Sequence, residues 1–194
     1  MNAKKLKYGL ITLPNINLRS KSMKVGIITD ETIEIVESMK KVLLQWESER
    51  EHEVGVALAS IQIDVPYKIV IIRKDLDDKD NHDFDVFINP SITKYEGELV
   101  EDFEGCLSIK DIYGKVPRFS KVRIKATDLD GKPIRHTAKG FIARVFQHEI
   151  DHTDGKLFID HIKNENEAFF KLMPDGKLKQ LDYEKDVEKN SILW

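Results

Sequence analysis

With 41% hydrophobic side chains in 194 residues and no repeat or low-complexity stretch, the chain is expected to form a single domain spanning 1–194. Its 31 basic and 34 acidic side chains give a net charge of −3, which leaves no electrostatic footprint for nucleic acid. No apolar run approaches the ~18 residues of a membrane span, residues 1–10 lack the apolar stretch of a signal peptide, and one cysteine excludes an intrachain disulfide, so the expectation is a soluble cytoplasmic protein without a membrane partner.

Residues 6–28 mix short apolar groups with Pro14, Asn15, Asn17 and Arg19 and read as an extended arm over the core. Thr29-Asp30 opens a predicted helix to about residue 50, with Ile33, Val36, Leu43, Leu44 and Trp46 on its apolar stripe. The small-residue run Gly55 to Gln62 has no decisive period; it fits tight internal packing or a loop lying against a substrate. Tyr67–Arg73 is a predicted buried strand, 75–85 a polar loop, and Val86–Ile88 a strand ended by a turn at Asn89-Pro90. Ile92–Val100 is extended and leads into Glu104-Gly105-Cys106-Leu107-Ser108. Lys121–Asp128 alternates apolar and basic residues, and Asp130-Gly131 turns it into Lys132–His136. A helix is expected from near Thr137 to His152, ended by Thr153-Asp154-Gly155. Phe169–Leu181 has a hairpin pattern around Pro174-Asp175-Gly176, and the rest to Trp194 is charged and carries no motif.

The chemistry centres on Gln147-His148-Glu149-Ile150-Asp151-His152. Residues four apart lie about 40° from each other around a helix, so His148 and His152 can face one metal ion, with Glu149 beside them to manage protons. A third ligand is needed. A closed structural zinc site would take four protein ligands, and a single cysteine makes an open coordination position the better expectation. The metzincin extension puts a glycine at 155, which is present, and a histidine at 158, which is Phe158 here, so that peptidase subclass fails. A metallopeptidase using His161, Glu165 or Glu167 stays open as the alternative enzyme, and a non-catalytic metal-binding module as the alternative class.

Cys106 lies in a setting that changes its meaning. Gly55-Val56-Ala57-Leu58-Ala59-Ser60-Ile61-Gln62, Glu104-Gly105-Cys106-Leu107-Ser108 and the histidine segment resemble, in order, the three marker segments of the peptide deformylases. The arm with Pro14, Leu18 and Arg19, Asn89-Pro90, Val116-Pro117-Arg118 and Gly155-Lys156-Leu157-Phe158 extend the likeness over residues 8–162, leaving a tail at 163–194. The resemblance implies a divalent metal on Cys106, His148 and His152, with ferrous iron expected and zinc, nickel or cobalt as replacements. It implies hydrolysis of the formyl group from N-formylmethionyl nascent chains near the ribosome. Glu149 would be the acid–base residue, with the Gln62 amide and the Leu107 backbone N–H as oxyanion donors. Val145 and Phe141 fall one and two turns before His148 on its helix face, and with Val56 and Ala57 they are the candidate lining for the methionine side chain. Glu104 and Arg118 resemble a family ion pair, for which a solvated surface pair is the plain alternative. Ala57 and Ser60 stand where the family usually has glycine and alanine, and Thr153 where it has leucine; a positive φ at 57 would strain alanine. The expected fold is α+β, with antiparallel strands around a central helix carrying the metal motif and the N-terminal helix outside.

Overall fold

The computed structural model describes residues 7–78 and 81–189. The fold is α+β, one antiparallel sheet with few helices. Helix α1 (Asp30–Ser48) precedes β1 (Ala57–Ala59), β2 (Ile69–Arg73), β3 (Phe84–Cys106), β4 (Ile109–Thr127) and β5 (Pro133–Lys139). Helix α2 (Gly140–Thr153), the one-turn α3 (Phe158–His161), β6 (Phe169–Leu172) and β7 (Leu178–Gln180) follow. The strands run in the order β1-β2-β3-β4-β6-β7, and β5 also pairs with β4. No helix among the described residues is long and apolar enough to cross a membrane.

Side-chain alternation on β1 and β2 explains how both long helices are accommodated. Ile69, Ile71 and Leu58 join Val36, Met39 and Leu43 of α1 in one buried cluster, whereas Val70, Ile72, Ala57 and Ala59 join Phe146 and Ile150 of α2 in another. Successive strand residues point to opposite faces, so a strand buried on both sides reads as an unbroken apolar run. The alanines are on the α2 side, where small side chains let the helix approach. Phe146 anchors that helix edge-on against Phe87 at 4.9 Å between ring centroids; burying such a ring contributes on the order of 2–3 kcal/mol.

Several expectations need correction. The apolar stripe of α1 is Ile35, Val36, Met39, Val42 and Leu43, while Ile33 is 45% exposed, because the sheet meets the helix one step around from the predicted face. Asn89-Pro90 does not end a strand: β3 passes through it with a register shift between Ile88 and Ser91 and with Asn89 at φ 53°. The Asn89 side chain holds the N-terminal arm there, accepting from Val25 N and donating to Val25 O at 2.8 Å each. An irregular strand residue with a polar side chain that replaces a neighbouring strand is a bulge, not a turn. Helix α2 starts at Gly140, whose φ is +55°, because residues 137–139 continue β5 beside β4. Residues 109–120, which carry a proline and no clean alternation, form the first part of β4. The hairpin expected around Pro174-Asp175-Gly176 is present as β6 and β7. Residues 79–80 of the polar loop and 190–194 of the tail lie outside the described residues.

Candidate metal centre

Cys106 ends β3, and a two-residue turn, Leu107-Ser108, leads to Ile109, the partner of Cys106 across the hairpin. His148 and His152 come from α2, and all three side chains are buried. Cys106 Sγ is 3.2 Å from His152 Nε2, which is 3.2 Å from His148 Nε2. Ligand bonds of about 2.0–2.3 Å in a tetrahedron place donor atoms roughly 3.3–3.6 Å apart, so this triangle fits one small divalent cation. Among the described residues it is the one group of three or more cysteine, histidine and carboxylate side chains close enough to share an ion. His161, a candidate for the peptidase alternative, is turned away: its Nε2 is 2.7 Å from Asp151 Oδ2.

The charge pattern around the triangle favours a cation as well. His148 Nδ1 is 3.0 Å from Glu104 Oε2, which assigns the proton to Nδ1 and leaves the Nε2 lone pair facing the centre. Burial alone lowers the pKa of both imidazoles. At His148 the hydrogen bonds to Cys106 and Glu104 outweigh it and hold the pKa well above the ordinary range. His152 is pushed well below by burial and the neighbouring His148 charge.

Glu104 organises the surroundings. It accepts from Arg118 Nε and Nη2 at 2.9 and 3.1 Å and from Arg144 Nη1 at 2.8 Å, while Arg118 Nη1 reaches Asp151 Oδ2 at 2.5 Å. Burial raises the Glu104 pKa, but hydrogen bonds from His148 and Arg118 overcome it and hold the carboxyl well below the usual carboxylate range. The side chains of Glu104, Arg118 and Arg144 are 4, 5 and 7% exposed, so the Glu104–Arg118 pair that the resemblance implies is present and buried, and the solvated surface alternative is not what forms. Arg144 also donates to Val116 O and Val100 O, a role no local sequence signal predicts. Gln147 fastens α2 to β4, accepting from Phe119 N at 3.1 Å and donating to Phe119 O at 2.9 Å.

Glu149 is buried, lines the cleft beside the triangle, and its Oε2 has no hydrogen-bond partner among the described residues. Burial pushes its carboxyl up to about 7, with the His148 charge acting against the rise. An unpartnered buried oxygen of this kind is costly unless a guest satisfies it. Gln62 follows β1 in a 3-10 turn, Ser60–Ile63. Its Oε1 accepts from Ala59 N at 2.9 Å, which fixes the amide so that Nε2 faces Cys106 Sγ at 3.6 Å and Ser108 Oγ at 3.2 Å. The N-terminal arm ties the two turns together: Ile11 N donates to Gln62 O at 2.8 Å and Leu13 N to Ser108 O at 2.9 Å. That link between the Gln62 and Cys106 turns goes beyond the covering role expected of the arm.

The cleft has a volume of about 260 Å³, and Val56, Ala57, Leu107, Phe141 and Val145 all line it. Phe141 is half-exposed. Trp46, His52, Phe103 and Tyr113 also line it and were not anticipated, since they come from segments distant in sequence. The departures in the first and third segments are absorbed without strain. Ala57 is not among the positive-φ residues and pairs with Ile72 in β1. Ser60 Oγ donates to Tyr67 O at 2.5 Å, and Thr153 Oγ1 donates to Ile150 O at 2.9 Å, so both buried hydroxyls are satisfied.

The sequence profile of the polypeptide deformylase family matches residues 7–168. The chain belongs to the polypeptide deformylase family. Among curated relatives, peptide deformylase 1 of Pseudomonas syringae pv. tomato is 36% identical over 155 residues, covering 80% of this chain and 86% of that protein. The peptide deformylase of Halothermothrix orenii is 40% identical over 145 residues, covering 75% and 86%. Among solved structures, the peptide deformylase of Synechococcus elongatus in complex with actinonin superimposes with a TM-score of 0.75 at 32% identity over 84% of each chain. The Plasmodium falciparum peptide deformylase does so with a TM-score of 0.73 at 29% identity, covering 95% and 94%. Deformylases are metal-dependent enzymes, and the Cys106, His148 and His152 triangle is the place in this deformylase-family chain that suits the ion.

Proposed function

We infer that this chain hydrolyses the N-formyl group of formylmethionyl polypeptides and releases formate. The observation that carries this reading is the convergence of the Cys106, His148 and His152 donor atoms beside the unpartnered Glu149 oxygen, in a chain of the deformylase family. In this reading α2 is the central, metal-bearing helix and residues 1–194 work as one catalytic domain. The protein acts in the cytoplasm on nascent chains near the ribosome. Cys106, His148 and His152 would hold the ion, with ferrous iron as its native form. When bound, it supplies Lewis acidity that acidifies water and polarises a carbonyl.

The chain's own groups do the remaining work. Glu149 takes the proton of the attacking water on its carboxylate and later delivers it to the leaving amine, a role suited to a pKa near working pH. The Gln62 Nε2–H and the Leu107 backbone N–H donate to the oxygen on which negative charge develops. Since Ala59 N holds the Gln62 carbonyl, the amide cannot rotate away from this task. Val56, Ala57, Phe141 and Val145 take the methionine side chain, and the burial of Glu149 keeps bulk water from competing for its proton.

The decisive experiment is purification without oxygen, loading with ferrous iron, and measurement of formate released from a formylmethionyl peptide. Peptide-bond cleavage without formate would indicate a peptidase, and neither product a binding module. Gln62→Ala is expected to lower kcat about 10²–10³-fold with little change in KM, as for loss of one oxyanion donor; steady-state kinetics checks it. Val145→Asp is expected to raise KM for formylmethionyl peptides at least about tenfold by placing a charge in an apolar pocket, and an unchanged KM would remove Val145 from the pocket. Peroxide should inactivate the ferrous enzyme through its thiolate-bound metal, and full activity after exposure would count against iron.

A further inference from the structure

The family match ends at residue 168, and β6 begins at Phe169. The hairpin that follows adds two strands beside β4. It touches the cleft from behind at three separate places. Phe170 packs edge-on against Phe103 at 4.9 Å, with Lys115 Nζ over both rings at 5.6 and 5.5 Å. Phe170 is also the cross-strand partner of Tyr113. The hairpin's turn seats on His52, with His52 Nε2 3.3 Å from Pro174 O and Gly176 so close that an added Cβ would meet the His52 ring at 3.1 Å. Phe103, Tyr113 and His52 are all lining residues of the cleft, and the hairpin backs each one without entering it.

The lining nearest the metal ligands already has assignments in the deformylase reading, on which this inference rests. Glu149, Gln62 and the metal ligands serve the formyl group, and Val56, Ala57, Phe141 and Val145 serve the methionine side chain. The wall of His52, Phe103 and Tyr113, on the side of the cleft that the hairpin contacts, is available for the residues after methionine. We propose that the β6–β7 hairpin is the positioning element that holds this aromatic wall, and that it confers preference for aromatic or aliphatic residues downstream of methionine. Charge on the wall is paired internally: Tyr113 donates to Glu53 Oε1 at 2.8 Å, and Arg50 spans Glu53 Oε2 at 3.3 Å and Asp111 Oδ1 at 2.9 Å. What it presents to a peptide is therefore ring surface, which rewards apolar and aromatic side chains.

The test compares two substrates, formyl-methionyl-alanine and a tetrapeptide extended from it by phenylalanine and leucine, on the full-length ferrous protein. In Phe170→Ala, KM for the tetrapeptide should rise about fivefold or more while KM for the dipeptide and both kcat values stay within about twofold, the signature of lost uniform binding. Phe170→Tyr should restore the wild-type ratio. If F170A lowers the folded fraction by circular dichroism, Gly176→Ala, whose added Cβ would press on the His52 ring at 3.1 Å from a backbone at φ +77° and so unseats the turn without changing a wall residue, carries the same expectation for the tetrapeptide. Equal rises in both KM values, or no change in either, would overturn the proposal. Absence of formate release by the wild type would overturn the deformylase reading instead. Calorimetric affinities of the same two peptides for wild type and F170A would then still decide the hairpin's role: a loss confined to the longer peptide supports it, and equal affinities reject it.

Discussion

Replacing Glu149 with glutamine is expected to lower kcat by about two to four orders of magnitude, the range lost with a general acid–base residue, while metal content stays at the wild-type level. Glutamine keeps the size of the side chain and removes only its ability to exchange a proton. Glu149 is not one of the three atoms that form the ligand triangle, so the substitution leaves the donors in place. Its free oxygen, the only side-chain carboxylate oxygen buried without a partner among the described residues, is the natural acceptor for a proton from water. Metal analysis beside steady-state kinetics checks the prediction. Loss of metal in parallel with activity would reassign Glu149 as a structural support, and retained activity would move the proton-transfer role elsewhere.

Glu104→Gln should produce the largest effect on stability of any change outside the apolar core. One carboxylate receives both Arg118 and Arg144 and also orients His148, and all of these groups are buried. Removing a single partner from a buried ion pair costs about 3–5 kcal/mol because the other charges stay desolvated. Here Asp151 still faces Arg118 and backbone carbonyls still face Arg144, so the lower end of that range is expected. Urea unfolding of the metal-free protein measures this term without the contribution of metal binding. Metal affinity should also fall about 10–100-fold, since His148 loses the carboxylate that orients it; competition with a chelator reads that out. The sign with pH follows from the depressed Glu104 pKa. The stabilisation it provides is complete above the ordinary carboxylate range and is lost as pH falls through the folded value, so wild type and variant should converge in acid. A variant as stable as wild type at neutral pH would show that the network contributes specificity rather than stability.

The parts of this molecule readable from the chain are those in which neighbours in sequence decide the outcome. The spacing of His148, Glu149 and His152 is a property of one helix, and it needs no knowledge of what packs against that helix. Asp130-Gly131 and Pro174-Asp175-Gly176 make turns through their own backbone preferences, and β2 announces its burial on both faces by five apolar or buried residues in a row. Cys106 could be joined to the histidines only through its Glu-Gly-Cys-Leu-Ser setting, because nothing in the spacing of residues 106 and 148 carries a distance.

Tertiary structure decided everything that depends on contacts between distant segments. Asn89-Pro90 has the composition of a turn, yet the arm it binds turns it into a bulge inside β3. Glu104 and Arg118 look like solvent charges until α2 brings His148 and Arg144 onto them. Gln62 becomes an amide with one fixed face because Ala59 N holds its oxygen and the arm pins its turn to that of Cys106. The aromatic wall joins residues 52, 103 and 113, and the hairpin of β6 and β7 contacts each of them. Local patterns specify periodicity and turns, so the chain alone determined which residues can bind a metal. Burial and long-range hydrogen bonds determine orientation and charge, so only the folded molecule decided which of those residues face one another and what holds them there.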